Sequence, residues 1–117
     1  MNRKKLLIST LFITSVMLNL MIIPAIAKPN IVTVVIKYSD GTPYDSYFTL
    51  VNVNKNQYTP SIYVDSRGKA NVEIPSNWAA GDLLEVRKYS SAPTWGYGEL
   101  SKNLSDRIVI KNLPPPG

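Results

Sequence analysis

Residues 63–75, which read YVDSRGKANVEIP, decide the fold of this chain. The second half of the stretch alternates apolar and polar side chains, as a strand with one buried face requires. Before it lies a short loop in which Asp65 can cap the turn through its side chain and Gly68 can adopt a positive φ at no steric cost. The stretch therefore predicts a β-hairpin, with Asp65 and Gly68 as structural turn residues, in a sheet that packs against a second layer.

Similar β-type runs follow one another at intervals near ten residues, with no convincing helix and no internal repeat between them. The predicted strands are residues 31–38, 47–53, 57–64 with a break at Pro60, 70–74, 83–89, 97–100 and 108–112. Alternation places Phe48, Leu50, Leu84 and Val86 in the core. This pattern predicts an all-β fold, a single seven-stranded Greek-key β-sandwich of the prealbumin-like or Ig-like kind.

The N-terminal residues 1–27 have the three parts of a secretory signal peptide. A basic segment is followed by an apolar stretch at residues 6–23 and by an Ala-x-Ala site, which predicts cleavage after Ala27. An uncleaved signal anchor is the alternative, because the apolar stretch is near bilayer-spanning length. We therefore expect a secreted or cell-surface protein with a β-sandwich domain at residues 28–112 and a proline-rich tail at 113–117.

Composition removes several classes of chemistry. The chain has no Cys and no His, which excludes cysteine nucleophiles, histidine-dependent triads and zinc sites built on these residues. Three of the 13 Lys and Arg lie in the leader, which leaves ten against 8 Asp and Glu, a net charge of about +2. These charges are interspersed along the sequence, so we expect no nucleic-acid partner. We expect no metal and no cofactor either, since the lone carboxylate of Asp65 is too few ligands for calcium.

The order of these motifs resembles a known family. Asp40-Gly41 followed by Pro43, the short strand at residues 48–50 and the segment 64–75 are similar to the prealbumin-like, or transthyretin-like, domains grouped as carboxypeptidase regulatory-like domains. The resemblance implies a non-catalytic exported accessory, binding or spacer module. The enzymatic relative of that fold, 5-hydroxyisourate hydrolase, depends on histidines, so its activity is not expected here.

A narrower resemblance is to the Cna B-type domains of surface adhesins and pilins. It implies a candidate isopeptide bond between Lys37 and Asn112, assisted by Glu85. A Lys shielded from water loses its proton and becomes a nucleophile, while a neighbouring carboxyl moves the protons. Strand alternation, however, turns Lys37 and Glu85 outward, so ordinary surface residues are the alternative. A mature domain lighter by one ammonia would identify the bond.

Aromatic residues provide the candidate ligand-binding positions. Flat rings bury area at low entropic cost and stack on ligands, and the glycines in residues 95–98, WGYG, would let Trp95 and Tyr97 project from a loop. Trp78 is a third candidate, on a connection that folds back over the end of the sandwich. The alternative is that these aromatics only pack within strands and cap the sandwich ends.

These observations predict an exported, non-catalytic binding or structural module with a protein or glycan partner at the cell surface. An isopeptide-stabilised adhesin or pilin domain is the first alternative. A hydrolase that uses paired carboxylates is the second, and it is disfavoured because the five aspartates occupy separate turns. These are Asp40, Asp45, Asp65, Asp82 and Asp106.

Overall fold

The computed structural model describes residues 30–116, which form eight β-strands and no helix. The strands are β1 (Ile31–Tyr38), β2 (Tyr47–Asn52), β3 (Gln57–Tyr58), β4 (Ile62–Tyr63), β5 (Lys69–Glu73), β6 (Leu83–Arg87), β7 (Thr94–Glu99) and β8 (Arg107–Leu113). The all-β prediction is confirmed for this part of the chain. The predicted signal peptide lies outside the described residues. Within residues 30–116, the structure contains no helix with the length and apolarity needed to span a membrane.

One sheet has three strands in the order β5-β1-β8. The central strand β1 pairs with β5 in antiparallel fashion, with Val34 opposite Ala70, and with β8 in parallel, with Val34 opposite Ile108. The β-branched residues of β1 suit this central position, since their stiff side chains pack well on a pleated surface. The parallel pairing of the first and last strands is a feature that period-two alternation alone does not indicate.

The second sheet has five strands, with β3, β2, β6 and β7 in order and β4 also paired with β2. β3 and β4 therefore lie end to end along the same side of β2. Pro60 separates them, because proline has no backbone N–H to donate to a ladder. The predicted strand at residues 57–64 is thus two short strands, which raises the count from the predicted seven to eight.

Both sheets turn one face towards a common core. Val32, Val34 and Ile36 of β1 are completely buried, as are the inward side chains of β2 and β6. Phe48, Leu50, Leu84 and Val86 each have no exposed surface, which confirms the predicted inward residues. Burial of each such side chain contributes roughly 1.5–3 kcal/mol relative to an exposed one.

The predicted hairpin at residues 63–75 is wrong in its pairing. β4 pairs with β2 of the five-stranded sheet, whereas β5 pairs with β1 of the three-stranded sheet. The loop between them therefore carries the chain from one layer to the other. Alternation showed which side chains of β5 face the core, and Val72 and Ile74 are indeed buried. It could not show which strand lies beside β5, because both layers present the same inward pattern.

Gly68 is fixed in this loop by both its backbone angle and its surroundings. Its φ is +74°, and a Cβ at this position would meet the backbone oxygen of Ile36. The close approach exists because the Gly68 carbonyl accepts a hydrogen bond of 2.8 Å from the Ile36 amide. Asp65 supports the same turn, since its Oδ1 accepts hydrogen bonds from the amides of Arg67, at 2.8 Å, and Lys69, at 3.0 Å.

The end of the chain extends the sheet further than expected. β8 continues to Leu113, which is buried and lies opposite Tyr38. The amide of Ser39 donates to the Leu113 carbonyl at 2.8 Å. The strand predicted at residues 108–112 is therefore longer by one residue at each end, and it stops at the prolines, which lack the amide needed to continue a ladder.

One buried polar cluster joins the turn before β6 to the end of β2. Asp82 Oδ2 accepts hydrogen bonds from the amide of Ala79 at 3.0 Å and from Asn52 Nδ2 at 2.9 Å, and Lys55 Nζ lies 3.1 Å away. The Ala79 amide, then Asn52 and Lys55, lower the pKa of the Asp82 carboxyl to about 2. Asn52 is completely buried, so the cluster satisfies polar groups that burial would otherwise penalise.

Candidate functional site

The structure separates the three predicted ligand-binding aromatics. Trp78 is only 1% exposed, and its Nε1 donates to Gln57 Oε1 at 2.7 Å. It closes one end of the core and offers no surface to a ligand. The predicted loop at residues 95–98 is instead part of β7, which pairs with β6.

Within β7, Trp95 is half-buried and packs edge-on against Tyr44, with ring centroids 5.3 Å apart. Tyr97 is 70% exposed on the outer face of the five-stranded sheet. Gly96 and Gly98 turn inward, where a Cβ would collide with Ile110 and Ile108 of β8. The glycines therefore allow the two sheets to approach closely on this side, and they do not form a projecting loop.

The three candidate isopeptide residues do not come together. Lys37 lies on the outer side of β1, since the residues before and after it, Ile36 and Tyr38, pack towards the core. Asn112 is exposed in β8 of the same sheet. Glu85 lies on the outer face of the other sheet, where it forms an ion pair with Arg87. The structure thus places the acid on the opposite side of the molecule from Lys37 and Asn112.

The aspartates that a carboxylate-dependent hydrolase would need are each bound by local partners. Their carboxylates accept hydrogen bonds as follows: Asp40 from Thr42, Asp45 from Tyr63, Asp65 from Arg67, Asp82 from Asn52 and Asp106 from Ser101. Residues 30–116 also contain no group of three or more carboxylates placed to hold a metal ion. The remaining candidate site lies at the edges of the two sheets.

The two sheets differ in width. The five-stranded sheet is four strands wide, since β3 and β4 share one position, whereas the opposite sheet is three strands wide. The side formed by β7 and β8 is closed by the Gly96 and Gly98 contacts with Ile110 and Ile108. The missing strand position therefore falls beside β5, on the other side of the molecule.

A cleft of about 420 Å³ occupies this position. Its volume lies within the range of about 300–1,000 Å³ that is usual for ligand pockets. One wall is formed by the edge of the five-stranded sheet. The other is formed by β5 together with Ile74 and Pro75, which follow it. The lining residues are Tyr58, Thr59, Pro60, Ile62, Asn71, Val72, Glu73, Ile74 and Pro75.

The backbone of β5 is open towards this cleft. The Ile74 amide donates to Asn30 and the Gly68 carbonyl accepts from Ile36, so the even-numbered peptide groups face β1. In an antiparallel strand the direction of these groups alternates, which turns the amides and carbonyls of Asn71 and Glu73 to the open side. The corresponding groups of Lys69 are already bound by Asp65. The free edge thus covers residues 71–73, because Pro75 has no amide hydrogen and its carbonyl accepts a hydrogen bond of 3.1 Å from the Trp78 amide.

The opposite wall offers only an interrupted edge, because the peptide groups of Tyr58 and Tyr63 turn away from β2 but the segment between them contains Pro60. Pro60 has no amide hydrogen, and the Thr59 amide is already bonded to the Leu50 carbonyl at 3.0 Å. Proline on an edge strand is a common protection against unwanted pairing. A ligand strand would therefore pair with β5 and contact the interrupted wall mainly through side chains.

The side chains of the cleft are mainly apolar. Ile62, Val72 and Ile74 provide aliphatic surface, and Tyr58, which is 62% exposed, stands at the rim. Glu73 is the only charged residue among the lining side chains. Asn71 is fixed on the outer face, where its Oδ1 accepts a hydrogen bond of 2.9 Å from Thr33 Oγ1. The cleft suits apolar side chains presented at alternate positions of an extended chain.

Comparison of the chain with protein-family models, curated proteins and solved structures found no match.

Sequence reasoning missed this cleft because its existence depends on how many strands each sheet receives. The hairpin predicted at residues 63–75 would pair β5 with β4 and so occupy the edge of β5 that is open in the structure. Pro60 is the one sequence signal that pointed to the site, since a proline in the middle of a strand indicates a sheet edge.

Proposed function

We propose that this protein is an exported, non-catalytic binding module, and that the cleft beside β5 receives an extended peptide segment of a partner protein as an additional strand. The observation that supports it most directly is the narrower sheet, whose unpaired edge borders an apolar cleft. Secretion or display at the cell surface, and a prealbumin-like Greek-key topology, belong to the same proposal and derive from the sequence.

Strand addition uses two sources of affinity. Main-chain hydrogen bonds to Asn71 and Glu73 hold the segment in register, and pockets for alternate side chains give specificity. An added strand would lie about 4.8 Å from β5 and would bring the narrow sheet to the width of the other. Its inward side chains would contact Ile62 and Val72 in the cleft. The free edge at residues 71–73 spans about 10 Å, which is enough to pair with about three residues of the segment.

The test is selection of a displayed library of random octapeptides on the purified domain. We expect enriched sequences to alternate apolar with polar residues, and the corresponding synthetic peptides to bind the domain in a calorimeter. The decisive variant is Glu73→Pro, which removes an outward-facing amide without removing a bond to β1. Glu73→Gln, which keeps that amide, is the matched control.

We expect Glu73→Pro to abolish peptide binding and Glu73→Gln to retain it, while both variants keep the thermal unfolding transition and the circular dichroism of the parent. If Glu73→Pro binds the selected peptides as well as the parent does, strand addition at β5 is wrong. Failure to enrich any sequence over an unrelated control domain would also contradict the proposal. If Glu73→Pro itself unfolds, Asn71→Pro tests the neighbouring outward amide in the same way.

A further inference from the structure

The outer face of the three-stranded sheet gathers cations that are far apart in the sequence. Strand alternation and register place Lys37 of β1, Lys69 of β5, and Arg107 and Lys111 of β8 on this face. Thr33 is opposite both Asn71 and Arg107, and its hydroxyl bonds to Asn71, which marks the outer side of the sheet. We call these four cations the basic face.

The four charges of the basic face lie close together. Lys69 is opposite Val35 of β1. Arg107 is opposite Thr33, which precedes Val35 by two residues and is the next outward position on β1. Neighbouring strands are about 4.8 Å apart, and residues on one face of a strand repeat about every 6.8 Å. Lys37 and Lys111 are thus neighbours on β1 and β8, and Lys69 lies diagonally from Lys37 on β5. Arg107 lies two outward positions from Lys111 along β8, at about 14 Å.

Few negative charges oppose the basic face. Within residues 30–116 the ion pairs are Lys55 with Asp82, Arg67 with Asp65 and Arg87 with Glu85, and none includes a cation of this face. Asp65, the acidic residue of the loop before Lys69, is paired with Arg67 instead, with 3.1 Å between Asp65 Oδ2 and Arg67 Nη2. Glu73, at the far end of β5 opposite Ile31, is the one carboxylate on the face. Four cations and one anion leave a local charge of +3.

The surface between these charges is flat and aliphatic. Val35 is 7% exposed although it points outward, as expected when the stems of long cationic side chains lie over it. Val109 beside it is 46% exposed. None of the outward residues of β1, β5 and β8 is aromatic. The exposed tyrosines lie on or after strands of the other sheet, at Tyr47, Tyr58, Tyr63, Tyr89 and Tyr97.

We infer that the basic face binds an acidic polysaccharide, a chain with carboxylate or sulfate groups repeated along its length. Such a polymer can lie across the three strands, so that its anionic groups meet Lys69, Lys37 and Lys111 in turn. Binding of this kind releases the counterions of the polymer and therefore weakens steeply as the salt concentration rises. The four cations of the basic face do not line the peptide cleft, which adjoins the face at Asn71 and Glu73.

The composition of the face favours a polysaccharide over two other polyanions. Single-stranded nucleic acids are bound by cationic grooves that also carry aromatic platforms for the bases, and this face has none. Proteins that bind at a bilayer surface insert large apolar side chains below the headgroups, whereas Val109 is the largest exposed apolar residue among the four cations. The face provides charge on a flat support, which is what an acidic glycan chain requires.

Binding is measured on the purified domain at low salt with dextran sulfate and with polygalacturonate, and with uncharged dextran as the control polymer. Single-stranded DNA and phosphatidylglycerol vesicles are the competing partners. The test variant is Lys37→Gln/Lys111→Gln. The matched control is Lys88→Gln/Lys102→Gln, which removes the same charge from exposed positions outside the three-stranded sheet. Arg107→Gln/Lys111→Gln, at two exposed positions, is the second test variant should Lys37 prove necessary for folding.

We expect both test variants to weaken binding of an acidic polysaccharide by on the order of tenfold or more, with a shallower dependence on salt, and the control to change it little. An equal loss in control and test variants would show non-specific attraction and overturn the inference. Tighter binding of DNA or of the vesicles than of either acidic polysaccharide would also overturn it, as would no binding to any of these probes. Glu73→Pro and Glu73→Gln both remove the one carboxylate of the face, so both should bind the polysaccharide equally well and at least as tightly as the parent, although only Glu73→Pro loses peptide binding.

Discussion

Single residues decide where the two layers can meet. Gly41 and Gly68 both have positive φ, at +91° and +74°, but their surroundings differ. Open space surrounds the position of a Cβ on Gly41, whereas a Cβ on Gly68 would meet the backbone oxygen of Ile36. The pair therefore separates the effect of backbone strain from the effect of close packing.

We predict that Gly68→Ala destabilises the domain more than Gly41→Ala. The left-handed backbone costs each alanine variant about 1–2 kcal/mol. Overpacking against a backbone atom, which cannot rotate away, adds about 1–3 kcal/mol for Gly68→Ala alone. Urea unfolding monitored by tryptophan fluorescence measures both variants. Equal unfolding free energies would show that the approach of Gly68 to Ile36 is not needed for stability.

At the scale of the element, β5 is hydrogen-bonded to β1 along one edge and has no neighbouring strand along the other. The amides of Ala70 and Val72 face β1, and those of Asn71 and Glu73 face the cleft. We predict that hydrogen exchange follows the same alternation, with slow exchange at Ala70 and Val72 and fast exchange at Asn71 and Glu73. NMR of the folded domain in deuterated solvent measures it residue by residue.

A peptide that adds to β5 should slow the exchange of Asn71 and Glu73 without altering the other two amides. Similar protection of all four amides in the free domain would mean that another segment already covers this edge.

The elements also show how far the sequence determines the fold. Period-two alternation identified the positions of the strands and the inward residues Leu84 and Val86, because burial of one face is a property of each strand alone. It gave the wrong partner for β5 and missed the first half of β7, residues 94–96. Gly96 and Gly98 resembled loop residues in the sequence, but their lack of a side chain serves contact with β8.

The candidate sites could not be predicted because both arise from pairing between distant strands. The cleft follows from the unequal widths of the sheets, and no local pattern records a width. The basic face combines Lys37, Lys69 and Lys111 from three strands whose charges are interspersed along the chain. The net charge of residues 28–117, at about +2, conceals this segregation.

For the whole molecule, the Asp82 cluster connects acid conditions to stability. Its ionised carboxylate is bound in the folded state, mainly by the Ala79 amide, then by Asn52 and Lys55, and its pKa falls from the ordinary 3.8 to about 2. A carboxyl with a depressed pKa in the folded state stabilises the fold above its unfolded pKa. The stabilisation is lost as the pH falls from about 4 through 2.

We therefore predict that Asp82→Asn lowers the melting temperature at neutral pH, and that the difference from the parent shrinks between about pH 4 and pH 2. Differential scanning calorimetry across this range measures it. Glu99→Gln, which removes a carboxylate from an exposed position, should change the melting temperature little at any pH. A difference for Asp82→Asn that stays constant down to pH 2 would show that the charge of Asp82 does not contribute.

The parallel pairing of β1 with β8 has a consequence for the nascent chain. β1 is the central strand of its sheet, and one of its two neighbours is the last strand to leave the ribosome. Until that strand emerges, one whole side of β1 has no hydrogen-bonding partner, and the aliphatic residues of its inner face lack part of their cover. The sheet is therefore complete only once β8 has been translated, and until then the open side of β1 is exposed to pairing with other chains.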